Sequence, residues 1–179
     1  MKIAKYLHLK KLFTVALASG QWLAERRKTP ADKRTVAVLN RLRDEINDNY
    51  GYRFGAPRIN LGPCGRFAKA FYEQWNARFK AKTTIAFVMA GDGTQCYHVV
   101  VRLPDGYYYD GGNGVMSKPT LLALFPQSRI DEMPEFDLAL LDQRSYGLSR
   151  SYSTCPNYAD DLTASVIERH LTRLAGDAR

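Results

Sequence analysis

One segment, CYHVVVRLPDGYYYDGG at residues 96–112, limits the possible folds more than any other part of the chain. Two runs of β-branched and aromatic residues flank Pro-Asp-Gly, a pattern that predicts a β-hairpin. Pro-Asp-Gly suits a three-residue loop, in which a type I turn is followed by Gly106 in the left-handed conformation. Val101 then pairs with Tyr109, so the turn fixes the register of both strands.

This register determines which side chains share a face of the hairpin. His98 and Asp110 become diagonal neighbours, about 7–8 Å apart by backbone and within hydrogen-bonding reach once their side chains extend. A two-residue loop would place them on opposite faces, because a slip of one residue inverts the pattern. The other face is the expected core face, with Tyr97, Val99, Val101, Leu103, Tyr107 and Tyr109.

A helix is predicted to begin at Cys64, after a loop rich in glycine and proline at residues 51–63. Aromatic residues follow at steps of four and form a stripe along the helix. Cys64 lies three residues before the first of them and should face the same way, toward the core. The stripe consists of Phe67, Phe71, Trp75 and Phe79.

The position of Cys64 favours a reactive thiol. A cysteine pKa of about 8.5 falls when the sulfur lies at a helix N-terminus or beside an imidazolium. Cys64 has the first setting by sequence, and His98 would supply the second if the fold brings them together. Asp110 would then orient the imidazole by accepting a hydrogen bond from its other nitrogen. The predicted catalytic residues are therefore Cys64, His98 and Asp110.

An oxyanion would be stabilised by backbone N–H groups at the helix start, with that of Gly65 among them. Gly65 also leaves room beside the sulfur for a substrate carbonyl. A second donor is expected upstream, from Asn60 by preference or from Arg58.

Each of these residues also has an inert interpretation. A lone cysteine is most often buried in a core, His98 would be a half-buried histidine with satisfied hydrogen bonds, and Asp110 would be a turn residue. Cys96 and Cys155 lack a helix-start setting and are expected to be structural. No cofactor or metal is expected, since no phosphate loop, dinucleotide motif or zinc spacing is present.

A cysteine at a helix start, then a strand, then histidine and aspartate on successive strands resembles the papain-like superfamily. The segment YHVVVRLPDGYYYDGG is similar to the His-strand-turn-strand-Asp segment of its transglutaminase-like and arylamine N-acetyltransferase branches. The resemblance covers residues 56–115. It implies a Cys-His-Asp hydrolase or acyl transferase acting on an amide bond of a protein or peptide-like substrate. Peptidase, isopeptidase, deamidase and amidase activities all remain open.

The basic charge of the chain supports an alternative function. The net charge is +8, and residues 1–53 hold most of the excess of lysine and arginine. This basic helical front end could bind nucleic acid or an acidic protein without catalysis, assisted by a Tyr/Arg loop at residues 143–158. It would comprise a helix over about 3–25 and a second helix that begins with Thr29 as its N-cap and ends at Gly51.

The rest of the chain predicts an α+β domain with a small antiparallel sheet, a nucleophile helix packed on it, and N-terminal helices. A single domain is expected over 1–179, in which 116–179 completes the core. The segments are TTIAFVMA as a strand, KPTLLALFP as a short helix, the acidic run Asp131, Glu132, Glu135 and Asp137 as a solvated loop, FDLALL as a strand, and a final helix after Asn157.

No run of about 20 apolar residues occurs, so no transmembrane segment is predicted. The odd number of cysteines, without a CxxC pair, favours a reducing compartment, and the protein is expected to be cytoplasmic. The start of the chain resembles a secretory signal, but its apolar stretch is short. Secretion, or delivery to another cell, is the alternative.

Overall fold

The computed structural model describes residues 32–145 and 154–176, which belong to one compact unit, Ala31–Arg179. The predicted first helix, most of the basic front end and half of the Tyr/Arg loop, residues 146–153, lie outside these described residues. The described part is a mixed α/β fold with a small antiparallel sheet, as predicted. Its helices are α1 (Lys33–Tyr50), α2 (Cys64–Arg78), α3 (Lys118–Leu124), α4 (Leu138–Arg144) and α5 (Asp160–Gly176).

A five-stranded antiparallel sheet forms the centre of the described fold. A separate two-stranded ribbon and a short 3₁₀ turn, Arg58–Asn60, precede α2. The order across the sheet is β6-β5-β4-β3-β7. The ribbon consists of β1 (Tyr52–Arg53) and β2 (Ala56–Pro57), and the sheet of β3 (Thr84–Ala90), β4 (Cys96–Arg102), β5 (Tyr108–Asp110), β6 (Gly114–Met116) and β7 (Ser128–Met133).

Helix α1 begins later than the sequence predicted. Its N-cap is Asp32, whose carboxylate accepts hydrogen bonds from the backbone N–H groups of Arg34 and Thr35. An aspartate that satisfies two otherwise unpaired N–H groups is a strong helix start, so the expected role of Thr29 as N-cap is wrong. The predicted end is confirmed, because Gly51 follows the helix with φ of 72°.

The aromatic stripe of α2 is confirmed and forms the centre of the main core. Phe67, Phe71 and Trp75 are buried, and neighbouring rings pack against each other. Tyr109 of β5 completes the cluster, with its ring centroid 4.8 Å from that of Phe71. This packing fixes α2 against the face of the sheet that β4 and β5 present. Phe79 lies one residue beyond the helix, with its ring on Trp75.

The hairpin between β4 and β5 has the predicted register. The Leu103 N–H donates to the Tyr107 carbonyl at 2.8 Å, Gly106 has φ of 85°, and Val101 pairs with Tyr109. Side chains therefore alternate between the main core and a smaller core on the other face of the sheet. The smaller core contains Ala86, Val88, Val100, Tyr108, Met116 and Leu121.

Two predictions for residues 131–141 are wrong. The last four residues of FDLALL begin helix α4, because the Asp137 side chain accepts from the N–H groups of Ala139 and Leu140 and caps the helix. Asp131 and Glu132 lie in β7, not in a loop. Charged residues are common on edge strands, where they oppose pairing with other chains, and β7 is an edge of this sheet.

The predicted short helix and final helix are confirmed as α3 and α5. Buried residues of α5 include Val166, Ile167 and Leu171, which lie in the main core. Within residues 32–145 and 154–176, no helix has the length and apolar character needed to cross a membrane.

Candidate active site

Cys64 is the first residue of α2, and its partly buried side chain packs against the main core. Pro63 precedes the helix and provides no side-chain cap. The first hydrogen bond of this turn runs from the Phe67 N–H to the Pro63 carbonyl at 2.9 Å. The earlier N–H groups, including that of Gly65, have no partner within an α-helix and direct a partial positive charge toward the thiol region.

A β-bulge in β4 determines how His98 reaches the site. Val88 pairs with His98 but Met89 pairs with Cys96, so Tyr97 is the extra residue. Bulges redirect side chains. Tyr97 is 45% exposed, which corrects its predicted place on the core face, whereas His98 is only 1% exposed.

The end of β5 opens the edge of β4 toward α2. β5 stops at Asp110, and the chain turns away through residues 111–113. Beside His98 and Val99, the start of α2 approaches the position that a continuing strand would occupy, and the Val99 backbone helps to lower the pKa of the Cys64 thiol. The sheet thus places a thiol against its own backbone edge.

His98 and Asp110 form a buried pair, as the hairpin register predicted. The distance from His98 Nε2 to Asp110 Oδ2 is 2.9 Å, and both side chains are at most 2% exposed. Asp110 Oδ1 accepts from the N–H groups of Gly112 at 2.9 Å and Asn113 at 2.6 Å, and from Asn60 Nδ2 at 3.1 Å. Burial opposes ionisation, but the pairing with His98 and the donors of Asn113 outweigh it and lower the pKa of Asp110.

Cys64 and His98 interact through the other side of the imidazole. Asp110 occupies Nε2, and the buried Nδ1 has no hydrogen-bond partner among the described residues, so this nitrogen is available to the thiol. Burial alone would raise the pKa of the Cys64 thiol, but the neighbouring imidazole of His98 and its charge lower it. Burial likewise opposes protonation of His98, yet its hydrogen bond to Asp110 and its interaction with Cys64 raise the pKa of His98 to about 10. A lowered thiol pKa and a raised imidazole pKa both favour a thiolate–imidazolium pair over a neutral thiol and a neutral imidazole.

The three predicted oxyanion residues occupy different positions. The Gly65 N–H lies in the first turn of α2, beside Cys64. Asn60 lines the crevice at Cys64, but its amide also donates to Asp110, so it supports the carboxylate directly. Arg58 is directed elsewhere, because its Nε donates to the Tyr52 carbonyl at 3.3 Å.

Some contacts of the site were not predicted from the sequence. Asn113 donates to Asp110 from both its backbone and its side chain, a local pattern that the Asp-Gly-Gly-Asn sequence could have suggested. Phe125 packs its ring on that of His98 with 5.5 Å between centroids. Asn47 of α1 donates to the Gly112 carbonyl at 2.9 Å. The last two come from distant segments and leave no local sequence signal.

A narrow crevice of about 40 Å³ gives access to the site. At its wall Cys96 donates its thiol to the His98 carbonyl at 3.3 Å, and burial raises the pKa of Cys96 to about 12. Burial also raises the pKa of Cys155. Cys64 is therefore the only one of the three cysteines whose pKa is lowered. The crevice is lined by Asn60, Leu61, Gly62, Cys64, Cys96, Tyr97, His98, Val99, Arg144 and Ser145.

No group of His, Cys, Asp or Glu side chains suited to a metal ion occurs in the described part of the chain. Comparison with known proteins finds no matching family model, no matching curated protein and no matching solved structure. The chemistry of the site is therefore inferred from its own geometry.

Proposed function

We propose that the protein is a cysteine-dependent hydrolase or acyl transferase that acts on an amide bond, with a papain-like arrangement of helix and sheet. The observation that carries this proposal is the buried imidazole of His98, which contacts Asp110 at 2.9 Å through one nitrogen and interacts with Cys64 through the other side of its ring. An inert core cysteine has no need of a protonated histidine and a buried carboxylate behind it.

In the proposed reaction, the Cys64 thiolate attacks the amide carbonyl carbon, forming a C–S bond and a tetrahedral oxyanion. N–H groups in the first turn of α2 stabilise that oxyanion. Protonated His98 gives its proton to the leaving nitrogen as the C–N bond breaks, which leaves a thioester on Cys64. Neutral His98 then removes a proton from water or an acceptor amine, which attacks the thioester and releases the thiolate.

Asp110 keeps one orientation of the imidazole throughout. Its Oδ2 accepts from His98 Nε2, so Nδ1 is the nitrogen that exchanges a proton at the thiol. The donors from Gly112, Asn113 and Asn60 hold the carboxylate in its ionised form. A buried charge of this kind stabilises the imidazolium strongly, because little water screens it.

Alkylation with iodoacetamide at pH 6.5, read by peptide mapping, tests the proposal. Cys64 should react faster than Cys96 and Cys155, and His98→Ala should abolish that preference because the thiol regains an ordinary or higher pKa. His170→Ala is the matched control, since His170 is also buried and pairs with a carboxylate, Glu45, at 2.8 Å. It should leave the preference for Cys64 intact.

An acyl-transfer readout separates an enzyme from a merely reactive thiol. p-Nitrophenyl acetate should acetylate Cys64 in a rapid burst, followed by slower hydrolysis or transfer to an added amine. Cys64→Ser should lose the burst. Equal alkylation of all three cysteines in the folded protein, together with no acetyl-enzyme, would support the inert interpretation instead.

A further inference from the structure

Arg144, near the C-terminal end of α4, lies where two cavities meet. It lines the narrow crevice at Cys64, and with Cys96 it also lines a larger cavity of about 370 Å³. The crevice at Cys64, with a volume of about 40 Å³, can hold only a small chemical group. A substrate group that extends from the sulfur toward the larger cavity would lie beside Arg144, since this residue lines both.

The charge of Arg144 is incompletely compensated. Among the described residues, its carboxylate partner is Asp131, whose Oδ2 lies 3.6 Å from Nη1, beyond hydrogen-bonding distance. Arg129 contacts the same carboxylate more closely, with its Nε 3.2 Å from Oδ1. Two arginines thus share one carboxylate, which leaves about one positive charge at the junction of the cavities.

The guanidinium is also held in place. Its central carbon lies 4.8 Å from the ring centroid of Phe87, a fully buried residue of β3. An arginine over an aromatic face is oriented by the ring and is attracted to it electrostatically. The Arg144 side chain is 32% exposed, so its unused N–H donors can reach an incoming group. A planar guanidinium with free donors matches the geometry of a carboxylate.

We propose that Arg144 binds a carboxylate of the substrate beside the Cys64 sulfur, so that the preferred substrates are peptide-like amides with an acidic group close to the scissile bond. This inference rests on the proposed function, since it names the substrate class of the same site. Arg144 is a specificity residue in this scheme: it receives the anionic group and takes no part in proton transfer.

Iodoacetate and iodoacetamide provide the test, because they alkylate a thiol by the same displacement of iodide and differ mainly in one negative charge. We expect Arg144→Gln to lower the ratio of the iodoacetate rate to the iodoacetamide rate at Cys64 about tenfold, the loss of one charge-assisted contact. Arg102→Gln is the matched control. It removes the same charge at a different place, the end of β4, where Arg102 pairs with Glu132 at 3.2 Å, and should leave the ratio unchanged.

Asp131→Asn provides a second variant that does not depend on the folding of the first. Loss of the competing carboxylate should raise the ratio, since Arg144 and Arg129 then both lack a negative partner. A ratio unaffected by Arg144→Gln and by Asp131→Asn would overturn the proposal, as would an equal fall in Arg102→Gln.

Failure of the proposed function has a different signature. Cys64 would then react no faster than Cys96 and Cys155 with either reagent at pH 6.5. The ratio of the two rates can still be measured at higher pH, where an ordinary thiol ionises, so the two results are independent.

Discussion

Replacement of Asp110 by asparagine tests the central pair of the site. Asp110 Oδ1 accepts three hydrogen bonds, from Gly112, Asn113 and Asn60, so the oxygen of an asparagine amide should remain there. The amide NH₂ would then replace Oδ2 and face His98 Nε2. A donor at that position requires a lone pair on Nε2, which moves the proton to Nδ1, on the side of Cys64.

The expected fall in the alkylation rate follows from the ionised fraction of the Cys64 thiol. Without a carboxylate behind it, burial disfavours the imidazolium, and Cys64 loses the partner that lowers its pKa. A thiol with a pKa of about 8.5 is about 1% ionised at pH 6.5, so the alkylation rate should fall by a factor of up to about 100, the limit for a wild-type thiol that is fully ionised at that pH. Acyl transfer should fall further, by a factor on the order of 10³ to 10⁴, because the tautomer is reversed.

The assay is the dependence of the Cys64 alkylation rate on pH, with Cys96 and Cys155 as internal references. Wild-type protein should keep its reactivity well below pH 8, and Asp110→Asn should shift the whole profile to higher pH. Asp105→Asn, in the turn of the same hairpin, should behave like wild type because, within the described part of the chain, Asp105 accepts only from the Tyr107 N–H. Superimposable profiles for Asp110→Asn and wild type would refute the role of the carboxylate.

Three other perturbations have defined outcomes. In Gly112→Ala the new Cβ would lie 2.5 Å from Asn60 Nδ2 and displace this amide from Asp110. The variant should lose about 1–3 kcal/mol of unfolding free energy, measured with urea, and have a higher Cys64 pKa. Unchanged stability and unchanged Cys64 labelling would contradict this. Phe67→Ala should lower the free energy of unfolding by about 3–5 kcal/mol, because a fully packed ring is replaced by a cavity. The pKa of Asp110 is lower in the folded state than in the unfolded chain, so ionised Asp110 stabilises the fold above about pH 4. This stabilisation is lost as the pH falls through the folded-state pKa. The difference in unfolding free energy between wild type and Asp110→Asn, measured by denaturation across pH, should therefore narrow below about pH 4.

The most accurate predictions concerned features with a local cause. Pro-Asp-Gly predicted the hairpin loop, and the loop in turn predicted that His98 and Asp110 share a face. In the structure, His98 Nε2 lies 2.9 Å from Asp110 Oδ2. The i+4 spacing from Phe67 predicted the buried stripe of α2. Both depend on interactions within a few residues, for which turn chemistry and helical periodicity are sufficient.

Predictions were wrong where the local sequence fits two kinds of secondary structure almost equally well. The apolar residues of FDLALL fit a strand or a helix, and the cap provided by Asp137 favours the helix. Asp131 and Glu132 have the composition of a loop, but they lie in the edge strand β7, which pairs with β3. The bulge at Tyr97 was missed because it depends on how β3 and β4 pair, not on the sequence of β4.

The sequence alone therefore determined the helix that starts at Cys64 and the hairpin that aligns a histidine with an aspartate. The tertiary structure decided whether the thiol meets the imidazole, because that contact requires α2 to pack on the open edge of β4. It also brought Asn60 to Asp110, across 50 residues of chain, and Arg144 to the crevice. Local rules cannot fix such contacts, since each depends on the packing of the whole core, which holds distant segments at one position.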